Sequence, residues 1–247
     1  METPTPRTPR KKMTKQLTGK RDDTPLHSAA RAGNLVEIKD ILTKTDGDEL
    51  KALLSKQNQS GETALYVAAE YGYVDMVEEM IKFYDIVSAG IKARNGYDAF
   101  HIAAKQDDLE VVKVLMNALL ELSMTVDLSN TTALHTAATQ GHIEVVNLLL
   151  EADSSLARIA KSNGKTALHS AARNGHVEVV NAVLSKEPGI ATRIDKKGQT
   201  ALHMAAKGQR IELVEALINS DPSLVNMIDN KGNTALHIAT RKGRAQV

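Results

Sequence analysis

Two short apolar patterns alternate along this chain. One is compact: a leucine followed three and four positions later by alanines, as in Leu202, Ala205 and Ala206. The other is broader, as in Ile143, Val145, Val146, Leu148, Leu149 and Leu150. Both spacings gather apolar side chains on one helical face. The alanine stripe predicts a short helix that a neighbour can approach closely, and the broader stripe predicts a second helix returning antiparallel. Gly33, Gly72, Gly141, Gly175 and Gly243 stand between the two patterns, where a left-handed helix stop is expected.

The pair of patterns recurs. Thr-Ala-Leu-His begins at 132, 166, 200 and 234, and degenerate copies begin at Thr24, Thr63 and Asp98, so the intervals are 39, 35, 34, 34, 34 and 34. Thr and Asp are good N-caps, because their side chains accept from orphan amides of the first helical turn. Pro25 suits a first helical position. Ahead of the caps, pairs such as Asp195 and Gly198 predict β-turns. The chain thus reads as all-α: a solenoid of about seven helix-turn-helix units with β-turn or hairpin fingers, each unit packing only on its neighbours. Units start near 22, 61, 96, 130, 164, 198 and 232, and the last is incomplete.

Departures from the pattern mark weak places. The long first interval contains Gly47 to Leu54, expected to add a helical turn. Asp107 and Gln209 occupy the helix-stop position, at a strain of roughly 1 kcal/mol for a side chain there, with Gly208 available to shift the second stop by one. Asn130 replaces the turn glycine of the fourth unit. Local opening is therefore expected near 104–109 sooner than near 141–150.

Bulk charge names no partner, with 31 basic and 30 acidic residues and a net charge of +1. The absence of cysteine excludes disulfides, Cys-based zinc sites and a Cys nucleophile, and suits a reducing compartment. No run of about 18 apolar residues suggests a membrane span, and residues 1–20 lack the apolar core of a secretory signal. Residues 1–21 read as a disordered basic tail, with Arg7, Arg10, Lys11, Lys12, Lys15, Lys20 and Arg21 against Glu2. Three Thr-Pro pairs accompany them. Such a tail suits an anionic membrane surface, a weak nuclear signal, proline-directed phosphorylation or a plain solvated leader.

No catalytic constellation stands out. His27, His101, His135, His169, His203 and His237 close the repeated motif, and His142 and His176 follow the stop glycine. They are expected to hydrogen-bond backbone between units. Their regular spacing strings them along the stack instead of converging them on one ion. Asn163 to Thr166 imitates the end of a phosphate loop, but Ile159 stands where its first glycine belongs. No cofactor is expected.

Thr-Pro-Leu-His at Thr24 and the period near 33 match the ankyrin signature, and the chain resembles an ankyrin-repeat domain from about residue 22 to its end. The resemblance implies an L-shaped stack with a concave groove. The loops Asp153-Ser-Ser-Leu156, Glu187-Pro-Gly-Ile190 and Asp221-Pro-Ser-Leu224, with Gly61-Glu-Thr-Ala-Leu-Tyr-Val-Ala-Ala69, are similar to the plant ankyrin–transmembrane proteins of the Accelerated Cell Death and Increased Tolerance to NaCl type. That resemblance implies cytosolic repeats followed by a C-terminal membrane domain, and roles in defence, salt and abscisic-acid responses at the plasma membrane. The seventh unit stops soon after Gly243, so we expect the repeat part of a longer membrane-tethered protein, on the cytosolic side of the plasma membrane. The alternative is a soluble cytoplasmic or nuclear adaptor.

Ankyrin domains touch partners with their finger tips and with the residues after the alanine pair. Carried over, the partner-binding residues are Arg31, Glu70, Tyr71, Lys105, Gln106, Gln140, Arg173, Asn174, Lys207 and Arg241 on helices, and Arg94, Tyr97, Lys196 and Lys197 on fingers. Cations outnumber acids there, so the groove is expected to be positive and to steer an acidic or phosphorylated protein partner. The alternative is that these lysines only solvate the surface. Nucleic acid and small-molecule substrates are not expected. All seven aromatic residues lie between Tyr66 and Phe100. Tyr66, Phe83, Tyr84 and Phe100 read as packing. Tyr71 and Tyr97 read as groove neighbours, because Tyr is enriched at energetic centres of interfaces.

Overall fold

The computed structural model describes residues 19–208 and 210–244. The first unit holds α1 (Pro25–Ala32), α2 (Leu35–Lys44) and α3 (Gly47–Ser55), the last filling the long first interval. The second holds α4 (Ala64–Glu70), α5 (Val74–Ile81) and the short α6 (Ile86–Ala89). Pairs then follow regularly: α7 (Ala99–Gln106) with α8 (Leu109–Ala118), α9 (Ala133–Gln140) with α10 (Ile143–Ala152), and α11 (Ala167–Asn174) with α12 (Val177–Lys186). The sixth unit has α13 (Ala201–Ala205) and α14 (Ile211–Ser220), and α15 (Ala235–Arg241) opens the seventh. Among the described residues there is no strand.

The caps act as the sequence requires. Thr24, Thr63, Asp98, Thr132, Thr200 and Thr234 each accept from the backbone N–H three residues on. First helices stack on first helices, from α1 on α4 through to α13 on α15, and second helices form the other layer, from α2 on α5 to α12 on α14. The alanine pairs at 68–69, 103–104 and 137–138 are all fully buried, so a small side chain at each lets the first layer pack closely. The broader stripe fills the space between the layers with Val145, Val146 and Leu149. The core is thus a strip along the stack. Trimming one of its leucines to alanine costs about 2–5 kcal/mol.

Fingers close by a β-turn and then join their neighbours. Gly198 N donates to Asp195 O (2.9 Å) and Asp195 N to Gln199 O (2.9 Å). Successive fingers are linked by Gln59 N to Arg21 O, Arg94 N to Ser60 O, Ser162 N to Ser129 O, Lys196 N to Asn163 O and Asn230 N to Lys197 O. Among the described residues no such backbone bond joins the third finger to the fourth. There Leu128 stands 90% exposed.

Strain falls largely where the sequence places it. Asp107 (φ 61°) and Asn130 (φ 58°) take the left-handed conformation, joined by Asp22 (φ 67°) at the turn position of the first finger. Gly208 does not take it, and α13 ends earlier, with Ala206 still right-handed. Gln209 lies outside the described residues. The first finger also includes Lys20 and Arg21, because Lys20 N donates to Asp23 Oδ2 and Gln59 N to Arg21 O. Residues 1–18, the rest of the basic tail, lie outside the described residues.

Candidate protein-binding surface

Histidines tie the units together. The Nε2 atoms of His27, His101, His135, His169 and His203 lie 2.8–3.3 Å from carbonyls of the next unit, at Glu62, Thr131, Lys165, Gln199 and Asn233. His142 and His176 reach the other way, to the carbonyls of Lys105 and Thr139, each at 3.0 Å. In the second unit Tyr66 stands in the histidine's place, and its hydroxyl accepts from Asn95 of the next finger. Groups committed to such bridges hold the stack in register and leave no convergent set of ligands. No cluster of His or acidic residues suited to a metal occurs among the described residues.

The aromatic residues divide. Tyr66, Tyr84 and Phe100 are buried as expected, and Phe83 is 42% exposed against the expectation of packing. Tyr71 stacks on Tyr73, with ring centroids 5.8 Å apart, and Tyr97 stacks on His101 at 5.7 Å. Lys105 Nζ sits 5.2 Å from the Tyr97 centroid, within cation–π range. Tyr97 and Gln140 line a recess of about 460 Å³ between fingers and first helices, with Thr136, Thr139, Lys161 and Ser162. That recess adjoins the boundary where the finger ladder lacks its backbone bond.

The expected cations also divide. Arg31 is only 5% exposed, and its guanidinium faces Asp23 at 3.3 Å and Glu62 at 3.7 Å. Those acids are themselves buried and take the cation as their counter-charge, so Arg31 is removed from the set of surface contacts. Burial would raise Glu62, but Lys20 and Asn58 outweigh it and hold the carboxyl below its usual range. Arg94, Lys105, Gln106, Gln140, Arg173, Asn174, Lys196, Lys197 and Arg241 are exposed, while Glu70 and Lys207 are half-buried. Asn174 donates to the Thr139 carbonyl at 2.7 Å, which fixes its orientation.

Charge is therefore uneven along the stack. In units five and six, Lys165, Arg173, Lys197 and Lys207 act on one another. Burial first, then Arg173, lowers the Lys165 pKa. Burial, then Lys165 and Arg173, lowers that of Lys207. Asp195 opposes them, with one of its oxygens already taken by the amides of Lys197 and Gln199, and Asp229 bonds the Gln199 side chain that receives Lys207.

A second feature escapes a motif-by-motif reading. The position ten residues beyond each cap reads Asn34, Tyr73, Asp108, His142, His176, Arg210, Arg244. It passes from neutral and acidic to strongly basic along the stack. Aligning the seven units column by column would have revealed it. His176 lies over Gly141, and Arg210 lies over Gly175 in the same manner.

The profile for ankyrin repeats (3 copies) matches in overlapping segments, at residues 9–89, 44–122, 80–159, 100–194 and 189–247. The chain is 61% identical over 124 residues to the Arabidopsis thaliana ankyrin repeat-containing protein At5g02620, covering 50% of this chain and 24% of that protein. It is 47% identical over 139 residues to the Arabidopsis thaliana ankyrin repeat-containing protein ITN1, covering 50% and 24%. The chain thus spans about a quarter of the length of each. Among solved structures it is similar to the human ASB11 ankyrin repeat domain, with a TM-score of 0.71, 20% identity, and coverage of 88% of this chain and 92% of that one. Seven capped helical units, buried alanine pairs and bridging histidines agree with these matches, and the chain belongs to the ankyrin-repeat family, whose plant members include its similar relatives.

Proposed function

We propose that this chain is a non-catalytic interaction scaffold whose groove, over units five to seven, recognises an acidic segment of a protein partner. One observation carries the reading: Lys165, Arg173, Lys197 and Lys207 lie close enough to act on one another's charge, with Asp195 opposing them and Asp229 held behind Gln199, whereas Arg31 in unit one is matched directly by Asp23 and Glu62. A concentrated positive surface speeds encounter with acidic partners and disfavours basic ones. Selection from a random displayed peptide library tests it. Acidic peptides should be enriched, should bind more weakly as salt rises, and should be lost on combining Lys165→Glu with Lys197→Glu. Enrichment of neutral or basic peptides would sink it.

The finer reading is that the repeats are the cytosolic part of a plant membrane-associated protein in stress or defence signalling. It is supported by the likeness to ITN1, a name that denotes increased tolerance to NaCl, and by the Asp-Pro-Ser-Leu loop at 221–224. No helix among the described residues is long and apolar enough to cross a membrane, so the tether would have to lie elsewhere. Fractionation of the native protein from plant tissue decides the matter. Pelleting with membranes through an alkaline wash supports the tethered reading, and recovery in the soluble fraction supports the soluble adaptor.

A further inference from the structure

Between the ends of α11 and α13 and the start of α14 lies a recess of about 320 Å³. Three guanidinium groups line it, Arg173 from α11, Arg210 at the start of α14 and Arg244 after α15, together with Asn174 and Gly175. No carboxylate is among its lining residues. The Arg244 Nε is buried and has no hydrogen-bond partner. Leaving a buried charged donor unmatched is costly, and a native fold tolerates it most readily where a ligand completes the set. Arg210 and Arg244 occupy the column that holds bridging histidines in units four and five. Those histidines spend their Nε2 on a carbonyl of the preceding unit. Among the described residues, neither the Arg210 nor the Arg244 side chain makes a hydrogen bond or an ion pair.

We propose that Arg173, Arg210 and Arg244 form a pocket for a phosphate monoester, carried by a phosphorylated serine or threonine of the protein partner. The chemistry favours this ligand on three counts. Guanidinium is a planar fork of donors that matches phosphate oxygens in pairs, where lysine offers only a point charge. Three cations suit a group bearing nearly two negative charges better than a single carboxylate. The pocket is also continuous with the lysine cluster through Arg173, whose charge is felt at both Lys165 and Lys207. A segment lying in the groove would therefore place acidic residues against the lysines and its phosphate in the recess. A recess set between the ends of α11 and α13 and the start of α14 suits a phosphate carried on a narrow chain better than a flat bilayer.

This inference rests on the acidic-partner reading, and its test separates the two. The probes are two fluorescent peptides, Glu-Glu-Ser-Glu-Glu and its phosphoserine form, and vesicles containing phosphatidylinositol phosphate. The phosphopeptide should bind at least tenfold more tightly. Arg210→Ala, and the charge-preserving Arg210→Lys, should cut that advantage to below about threefold while leaving the unphosphorylated peptide within about twofold of wild type. Lys165→Glu with Lys197→Glu should weaken both peptides. Equal binding of the two peptides, or an undiminished advantage in Arg210→Lys, overturns the pocket and leaves the acidic groove standing. Failure of both peptides with wild-type protein overturns the groove reading itself. Binding to the vesicles with no preference for the phosphopeptide assigns the arginines to a membrane and overturns the protein ligand. Arg210 is exposed at its helix start, so its variants should keep the wild-type circular dichroism. Arg244→Lys, changing the buried Nε donor while keeping charge, provides the second variant and should likewise lose the advantage.

Discussion

The Asp98 carboxylate lies 2.9 Å from His101 Nδ1, with both side chains wholly shielded from solvent. The other motif histidines that bridge to a following unit face a donor at that nitrogen, the backbone N–H of their own Thr cap. Such a ring accepts at Nδ1, donates at Nε2 and is neutral. His101 has oxygen on both sides, Asp98 and the Thr131 carbonyl, and is satisfied as imidazolium. One Thr-to-Asp departure in the motif thereby turns a neutral bridge into a buried ion pair.

A pH signature follows from that pair. Burial opposes the charge on each partner, but Asp98 holds His101 above the usual imidazole value, and His101 holds Asp98 below the usual carboxylate value. The raised histidine gives stability that is full below its unfolded pKa of about 6.5 and is lost as pH climbs through the folded value. The lowered carboxylate gives stability present above about 3.9 and lost as pH falls through its folded value. The melting temperature of wild type should therefore exceed that of Asp98→Thr by most near about pH 5.5 and by least near about pH 9. A gap that is flat across that range would show the pair is not charged. His135, lowered first by burial to about 4, works in the opposite sense. His135→Gln should reduce the loss of stability on acidification below about pH 6.5.

The neutral bridges are testable by truncation. His169 Nε2 donates to the Gln199 carbonyl at 2.9 Å, and its ring is fully buried. His169→Ala leaves that carbonyl without its partner and opens a cavity between units five and six. A loss of about 2–4 kcal/mol is expected in urea unfolding. His237 lies exposed, and among the described residues its ring bonds only to its own cap, so His237→Ala should cost under about 1 kcal/mol.

Asp107 and Asn130 carry similar backbone strain but should respond differently to glycine. Asp107→Gly relieves the left-handed side chain and gives up only a weak approach of 3.5 Å to His142, so a gain of about 0.5–1 kcal/mol is expected. Asn130 also donates through Nδ2 to the Ala160 carbonyl at 2.7 Å, and Asn130→Gly should be nearly neutral. Hydrogen exchange measures the local effect: amides at 104–109 should exchange faster than those at 141–150 in wild type, and Asp107→Gly should narrow the gap.

Arg31 and Arg173 occupy equivalent positions in their units and should separate stability from binding. Arg31→Ala strips two buried carboxylates of their counter-charge and should destabilise the first unit by about 3 kcal/mol, near the low end for a broken buried pair, since Lys20 still reaches Glu62. Arg173 is exposed, and Arg173→Ala should change stability by less than about 0.5 kcal/mol while weakening acidic peptides. Calorimetry and peptide titration on the two proteins give the four numbers needed.

Period, caps, glycines and alanine stripes all report local backbone geometry, and each repeats, so the solenoid was legible from Thr24 to Gly243. The surface was read less well because a motif position fixes where a side chain starts and not what neutralises it. Arg31 and Arg173 look alike in the motif; only the fold brings Asp23 and Glu62 against the first. Arg210 and Arg244 were overlooked because each replaces a histidine already assigned to structure. Gly208 was misjudged because a glycine permits a left-handed turn without demanding one.

The missing backbone bond between the third and fourth fingers has a mechanical side. Five other finger joints are stitched by main-chain hydrogen bonds, which resist splaying at each step. A stack of this kind behaves as an elastic rod, and a rod flexes at its most compliant joint. Compliance is therefore concentrated beside Leu128 and the Tyr97 recess, and a ligand spanning that joint would set the angle between a front block of three units and a rear block of four.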